Sequence, residues 1–165
     1  MSLLTCDICD AYEDKIASSE LQVFTPIFKQ FGRKTQFSGP AVTLKLFEEN
    51  VLIRNKLETP GNGQVLIVDG GGSLRCALVG GNLAKLAEQN GWAGIIVNGC
   101  IRDVDEINAC EIGVRALAAF PVKSAKRNTG QQDVRVRFAG VTIDAGDWIY
   151  ADADGVLVSP VNLIN

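Results

Sequence analysis

Two short segments hold the side chains best suited to chemistry. Gly99-Cys100-Ile101-Arg102-Asp103 places an arginine and an aspartate just after the apolar run Gly94-Ile95-Ile96-Val97-Asn98. Open α/β sheets hold ligands beyond the carboxyl ends of their strands, so a strand over 94–98 would deliver both groups to such a place. Arg102 offers a planar donor fork that suits a carboxylate or enolate oxygen. Asp103 offers a hard anionic oxygen suited to Mg²⁺, which takes one or two carboxylates plus waters. The second segment is Gly80-Gly81-Asn82-Leu83. Two glycines before a helix let the backbone approach a ligand, and the first helical N–H groups then attract a carboxylate or phosphate. Both segments also have plain uses, as a surface ion pair with Asp103 capping a helix, and as an ordinary helix entry.

The chain has no histidine. That excludes Ser-His-Asp and Cys-His nucleophiles, imidazole acid–base chemistry and every His-containing metal site. An enzyme built from this sequence must use carboxylates, arginine, lysine, backbone dipoles or a metal held by oxygen. Cys6-Asp7-Ile8-Cys9 has the spacing of a redox or zinc half-site, but no second pair accompanies it. The expectation is a first helix, capped by Thr5, that carries both thiols. Asp69-Gly70-Gly71-Gly72 departs from the dinucleotide fingerprint, with Arg75 where the third glycine belongs, so it reads as a turn. Asp152-Ala153-Asp154-Gly155 also reads as a turn, because its glycine comes too early for a calcium loop. Lys123, Lys126, Arg127, Arg135 and Arg137 read as a solvated basic face.

The elements that must position these groups follow from periodicity. A helix is expected from Thr5 to about Ser18, with Ile8, Tyr12 and Ile16 one turn apart. An extended run covers 41–47, and a helix covers Asn50 to Glu58. Gln64 to Asp69 is a short, β-branched, continuously apolar run, as in a buried parallel strand. Asn82 is a plausible N-cap for a helix closed by Asn90-Gly91, the 94–98 strand follows, and a helix runs from Asp103 to about Cys110. Strand, helix, strand, helix suggests a βαβ core, and short alternating runs after residue 134 suggest a largely β carboxyl-terminal part. The fold class expected is mixed α/β.

Composition agrees with this. The 165 residues are 47% hydrophobic and 21% charged, with a net charge of −3, which disfavours direct nucleic-acid binding. One domain over 1–165 is expected. Five cysteines, an odd number, do not form a disulfide framework. The opening Met1-Ser2-Leu3-Leu4-Thr5 lacks a leader pattern, and no apolar run nears the ~18 residues of a membrane span. The expected location is the cytoplasm, with no membrane partner.

Several segments in order resemble the RraA family, named for the regulator of ribonuclease activity A, whose members include 4-hydroxy-4-methyl-2-oxoglutarate aldolases. They are Cys9-Asp10, Val68 to Gly72, Ala77 to Ala84, Gly99 to Asp103 and Gly146 to Val156. The resemblance implies a swivelling β/β/α domain assembled as a ring-like trimer. It also implies that Arg102 binds substrate and acts in catalysis, that Asp103 holds Mg²⁺ or Mn²⁺, and that Gly80, Gly81, Asn82 and Leu83 bind substrate with Arg102. The family's ribonuclease E regulators commonly lack that aspartate, so Asp103 favours the enzymes. The chain departs from better-characterised aldolases at Gly81, where they carry an acidic residue, and at its end, Asn165, where a neighbouring subunit would contribute a glutamate.

The function this implies is a divalent-metal-dependent aldolase. It would cleave 4-hydroxy-4-methyl-2-oxoglutarate to two pyruvates and decarboxylate oxaloacetate through the same pyruvate enolate. The alternative is a non-catalytic trimer that binds and inhibits ribonuclease E.

Overall fold

Val65 to Asp69, at the centre of the chain, are all buried, with strands on both sides and packed side chains on both faces. The structure, a computed structural model, describes residues 4–164. Met1, Ser2 and Leu3 of the segment read for a leader, and Asn165, lie outside the described residues. The elements in chain order are α1 (Thr5–Ala11), α2 (Glu13–Ala17), β1 (Gln22–Val23), β2 (Lys29–Phe31), β3 (Phe37–Lys45), α3 (Val51–Leu57), β4 (Val65–Asp69), β5 (Ala77–Val79), α4 (Gly81–Gln89), β6 (Gly94–Ile101), α5 (Val104–Asn108), β7 (Gly113–Ala119), β8 (Gln131–Gln132), β9 (Val136–Phe138), β10 (Val141–Ile143), β11 (Trp148–Ala151) and β12 (Val156–Ser159). Strands β3, β4, β6 and β7 are parallel neighbours, and β5 adds to β6. The sheet continues through β11, β12 and β1 on one side and β2 on the other, all antiparallel.

β3 joins the parallel and antiparallel parts. Its first half, Phe37–Pro40, pairs with β11, and Ala41–Lys45 pairs with β4. Strand side chains alternate between faces, so each central strand feeds two cores. Leu66, Val68, Ile95 and Val97 pack against Ile53, Leu57, Leu83 and Ile107 of the helices. Val65, Ile67 and Ile96 pack on the other face with Val136, Phe138, Val141 and Ile143 of the small β9–β10 sheet. Each such buried aliphatic side chain contributes roughly 1.5–3 kcal/mol. Small sheet, curled ten-stranded sheet and helices give the β/β/α layering expected of the mixed α/β class.

Some local expectations are corrected. The first helix is two, broken at Tyr12 (φ −127°, ψ 40°), because the tyrosine hydroxyl donates to the Leu163 carbonyl and its ring packs with Ile8, Leu21 and Tyr150. Thr5 lies inside α1, with Leu4 at the N-cap position. The helix start is anchored from a distance instead: Thr5 N–H and Oγ1 donate to the Asp152 carboxylate at 2.6 and 2.7 Å. Both Cys6 and Cys9 do sit on α1, as free thiols. The 152–155 turn holds as a turn, with Asp154 and Gly155 N–H also bonded to Asp152.

This arrangement makes Asp152 a stability group with a defined pH dependence. Burial alone pushes its carboxyl up, but the bonds from Thr5, Asp154 and Gly155 outweigh that and hold it below the ordinary value. A carboxyl lowered by folding stabilises the native state above the unfolded value of ~3.9, and that stability is lost as pH falls through the folded value. Asp152→Asn should therefore cost about 2 kcal/mol near neutral pH and flatten the acid limb of stability below about pH 4. Urea melts of both proteins from pH 3 to 7 check this, and parallel curves would mean that the charge contributes nothing.

Candidate functional site

The segments that leave the carboxyl ends of β3, β5, β6 and β7 surround one cavity of about 150 Å³. Asn50 comes after β3, Gly80 after β5, Arg102 and Asp103 after β6, and Lys123, Ser124 and Lys126 after β7. β6 runs three residues beyond the expected strand, to Ile101, so Arg102 and Asp103 are the first residues past its end. Register accounts for this: Cys100 and Ile101 are still paired with β5 and β7.

Asp103 is the pivot. Its backbone is left-handed (φ 59°, ψ 48°), a conformation non-glycine residues adopt at some cost and that collects at functional positions. Two bonds hold it there. The Asp103 carbonyl accepts from Ile107 N–H at 2.9 Å, and Oδ2 accepts from Gly81 N–H at 3.0 Å. Asp103 thus opens its own helix, α5, through its backbone and closes the start of α4 through its side chain. The glycines are explained by this approach. A Cβ on Gly80 would lie 2.8 Å from Asp103 Oδ2, and one on Gly81 would lie 2.1 Å from Glu106 Oε2.

α4 begins two residues before the position expected, with Gly80 and not Asn82 as N-cap. Gly80, Asn82 and Leu83 line the cavity, whereas the Gly81 N–H is occupied by Asp103. Among the described residues, no protein group accepts the N–H of Asn82 or Leu83. Arg102 is anchored by its own N–H to the Val79 carbonyl at 3.0 Å, and its Nη1 makes a long contact of 3.4 Å to the Pro121 carbonyl. Among the described residues, no ion pair joins Arg102 to Asp103. The fork is therefore available to a ligand.

The sequence reading missed Asn50, Arg54, Lys123, Ser124 and Lys126. Lys126 Nζ donates to Asn50 Oδ1 at 2.5 Å, and Asn50 Nδ2 donates to the Leu78 carbonyl at 3.0 Å. Burial, then the neighbouring charges of Arg54, Lys123 and Arg102, push the Lys126 ammonium below its ordinary value, against the pull of Glu49. Ser124 Oγ is buried without a hydrogen-bond partner among the described residues. Lys123 and Lys126 are exposed, as the solvated-face reading expects, but both also line the cavity, while Arg135 pairs on the surface with Asp144 at 2.7 and 2.9 Å. The 69–72 glycines form a turn with left-handed Gly71 and Gly72, and no helix starts there.

Whether this site suits a divalent cation depends on its donors. Among the described residues, no three His, Cys, Asp or Glu side chains come together. A complete protein cage is thus not on offer, but Asp103 lines the cavity with Oδ1 uncommitted. One carboxylate oxygen beside an open space fits Mg²⁺ or Mn²⁺, which keep most of their waters.

A β/β/α domain with an Arg-Asp pair and a glycine-flanked helix start at its strand ends defines the class. The chain belongs to the RraA-like family, whose family model, Aldolase/RraA, matches residues 5–158. Among its relatives, a protein of Cupriavidus necator named "Putative 4-hydroxy-4-methyl-2-oxoglutarate aldolase" is 59% identical over 165 residues, all of both chains. One of the same name from Burkholderia mallei is 62% identical over 159 residues, 96% of each. A solved structure from Geobacillus kaustophilus, named as an S-adenosylmethionine:2-dimethylmenaquinone methyltransferase, superposes with a TM-score of 0.92 at 48% identity, covering 98% of this chain and 97% of that one. The RNA-processing inhibitor RraA from Thermus thermophilis gives 0.92 at 45% identity, covering 100% and 97%. Three different activities are thus attached to one architecture, so the site and not the fold must decide between them.

Proposed function

We propose that this chain is a metal-dependent lyase of 2-oxo acids. It cleaves 4-hydroxy-4-methyl-2-oxoglutarate to two pyruvates and decarboxylates oxaloacetate. The observation that carries the proposal is the convergence, in one cavity, of the Arg102 fork, the Asp103 carboxylate, unpaired N–H groups of α4, and Lys123 and Lys126. Both substrates carry a 2-oxo acid head and a further carboxylate, and both reactions leave a pyruvate enolate.

The chain's own groups divide the work. The N–H groups of Asn82 and Leu83 hold the C1 carboxylate at the positive end of α4. Arg102 donates to the oxygen on which enolate charge develops, an interaction that strengthens toward the transition state. Lys126, fixed by Asn50, and Lys123 hold the distal carboxylate. Asp103 would hold a Mg²⁺ or Mn²⁺ ion, which supplies Lewis-acid polarisation of the 2-oxo acid. Lysine serves here as a charge, and no Schiff base is needed.

A spectrophotometric oxaloacetate decarboxylation assay with and without EDTA tests the proposal. Wild type should lose activity on chelation and regain it with Mg²⁺ or Mn²⁺, and EDTA-insensitive turnover would contradict it. In the same assay Lys126→Met should raise KM roughly 10-fold or more, the worth of one charge-assisted hydrogen bond, with a smaller change in kcat. An unchanged KM would remove Lys126 from the distal carboxylate.

We also propose that the protein is a homotrimer. Phe47, Leu74 and Val122 are about half-exposed apolar side chains in segments that follow β3, β4 and β7, and they suit burial between copies. Light scattering on a size-exclusion column should give three times the chain mass, and a monomer at micromolar concentration would refute this. The second reading, a regulator that docks on ribonuclease E, is favoured by the resemblance to the Thermus inhibitor. A folded protein inactive on oxaloacetate with added metal would put that reading ahead.

A further inference from the structure

On the sheet face opposite α3, α4 and α5, a cavity of about 330 Å³ opens between β1, the segment entering β2, and the 152–155 turn. Val23, Phe24, Pro26, Phe28 and Val156 give it an apolar wall, and Arg115 of β7 is part of its lining. Val114 and Ala116 face the helix-side core, so Arg115 between them faces the other way. It pairs in register with Ile96, six residues before Arg102 on the adjacent strand, which puts the two arginines about 20 Å apart at ~3.3 Å per residue. This cavity is not the candidate active site.

Arg115 is only 2% exposed, yet its charge is poorly matched. Nη2 donates to two neutral carbonyls, Thr35 at 2.7 Å and Asp152 at 3.1 Å. The guanidinium lies over the Phe37 ring, 5.1 Å from its centre. Nη1 has no hydrogen-bond partner among the described residues. Among the described residues Arg115 has no ion-pair partner, because the nearby Asp152 carboxylate is taken up by Thr5, Asp154 and Gly155. Burial lowers the guanidinium to about 10, with Asp152 acting against it, so the group stays charged at neutral pH. A buried charge that lacks both a counter-ion and one acceptor is costly, and an anion seated in the cavity would supply the counter-ion.

We propose that this cavity is a second ligand site, for a small monocarboxylate with an apolar body whose carboxylate pairs with the Arg115 guanidinium and whose body rests on the Phe24, Phe28 and Val156 wall. The negative charges of Asp152 and Asp154 in the lining disfavour phosphate and other multiply charged anions. Isothermal titration of the full chain with benzoate tests this, with benzyl alcohol and inorganic phosphate as the neutral and multiply charged comparisons. Benzoate should bind once per chain and saturably, benzyl alcohol at least tenfold more weakly, and phosphate not at all. Arg115→Met should abolish benzoate binding. Because loss of Arg115 could disturb folding, Ala153→Trp is the second variant: Ala153 is an exposed lining residue. It should weaken benzoate at least tenfold while leaving oxaloacetate turnover as in wild type, and Arg102→Lys should leave benzoate binding intact. Absence of saturable binding would overturn the proposal. So would binding lost in Arg102→Lys and kept in Ala153→Trp, or a benzoate-soaked crystal in which the cavity beside Arg115 holds only water or a second copy of the chain.

Discussion

Replacing Arg102 by lysine should lower kcat/KM for oxaloacetate by on the order of 10²–10³, the usual cost of losing one preorganised donor at a developing oxyanion. Charge is conserved in this variant, so geometry alone is tested. A guanidinium presents two parallel donors in a plane, whereas an ammonium is a compact point charge on a flexible stem. The structure leaves that plane open, since the only hydrogen bond of the fork to protein among the described residues is the 3.4 Å one to the Pro121 carbonyl. The side chain also supports little else: the backbone N–H of Arg102, and not its guanidinium, ties β6 to the Val79 carbonyl. Circular dichroism and thermal stability should therefore stay close to wild type. Were Arg102 a surface ion-pair partner, lysine would substitute at a cost of only ~0–1 kcal/mol and turnover would be near normal. Near-normal turnover in a well-folded Arg102→Lys protein would take Arg102 out of the active site.

Asp103→Asn should remove the metal-dependent part of the activity, a fall on the order of 10³ or more if polarisation by the ion is worth several kcal/mol. The substitution is chosen because Asp103 does two things at once. Its left-handed backbone suits asparagine as well as aspartate, and an amide oxygen can still accept from Gly81 N–H. Folding should accordingly change by no more than about 1 kcal/mol. What disappears is the negative charge on the free oxygen. Mn²⁺ binding followed by calorimetry should weaken in step with the rate. A variant that binds Mn²⁺ and turns over oxaloacetate like wild type would falsify the metal role of Asp103. Asp103→Gly would complement it, relieving backbone strain while losing the bond to α4, so its stability reports the balance of those two effects.

The sequence by itself determined the central β-α alternation, because buried parallel strands must be continuously apolar and 65–68 and 94–97 are. It also determined the Arg102-Asp103 segment, since a strand that ends in an arginine and an aspartate delivers them to a sheet edge whatever its neighbours are. The absence of histidine narrowed the chemistry to oxygen donors and fixed charges. Helix ends were less legible. Asn82 is a better intrinsic N-cap than glycine, yet α4 starts after Gly80 because Asp103, distant in sequence, supplies the capping carboxylate and leaves no room for a Cβ. The break at Tyr12 and the anchoring of Thr5 by Asp152 have the same origin, in contacts between the two ends of the chain. β7 escaped notice because Gly113-Val114-Arg115-Ala116 breaks its apolar run with a charge, one that only the packing of Phe37 and the Thr35 and Asp152 carbonyls makes tolerable. With β7 unseen, nothing in the sequence could show that the exposed Lys123 and Lys126 also border the site. Spacing along a chain reports which side chains share an element, but convergence of the ends of β3, β5, β6 and β7 is set by sheet order. Hydrogen bonding and packing between segments far apart in sequence decide that order.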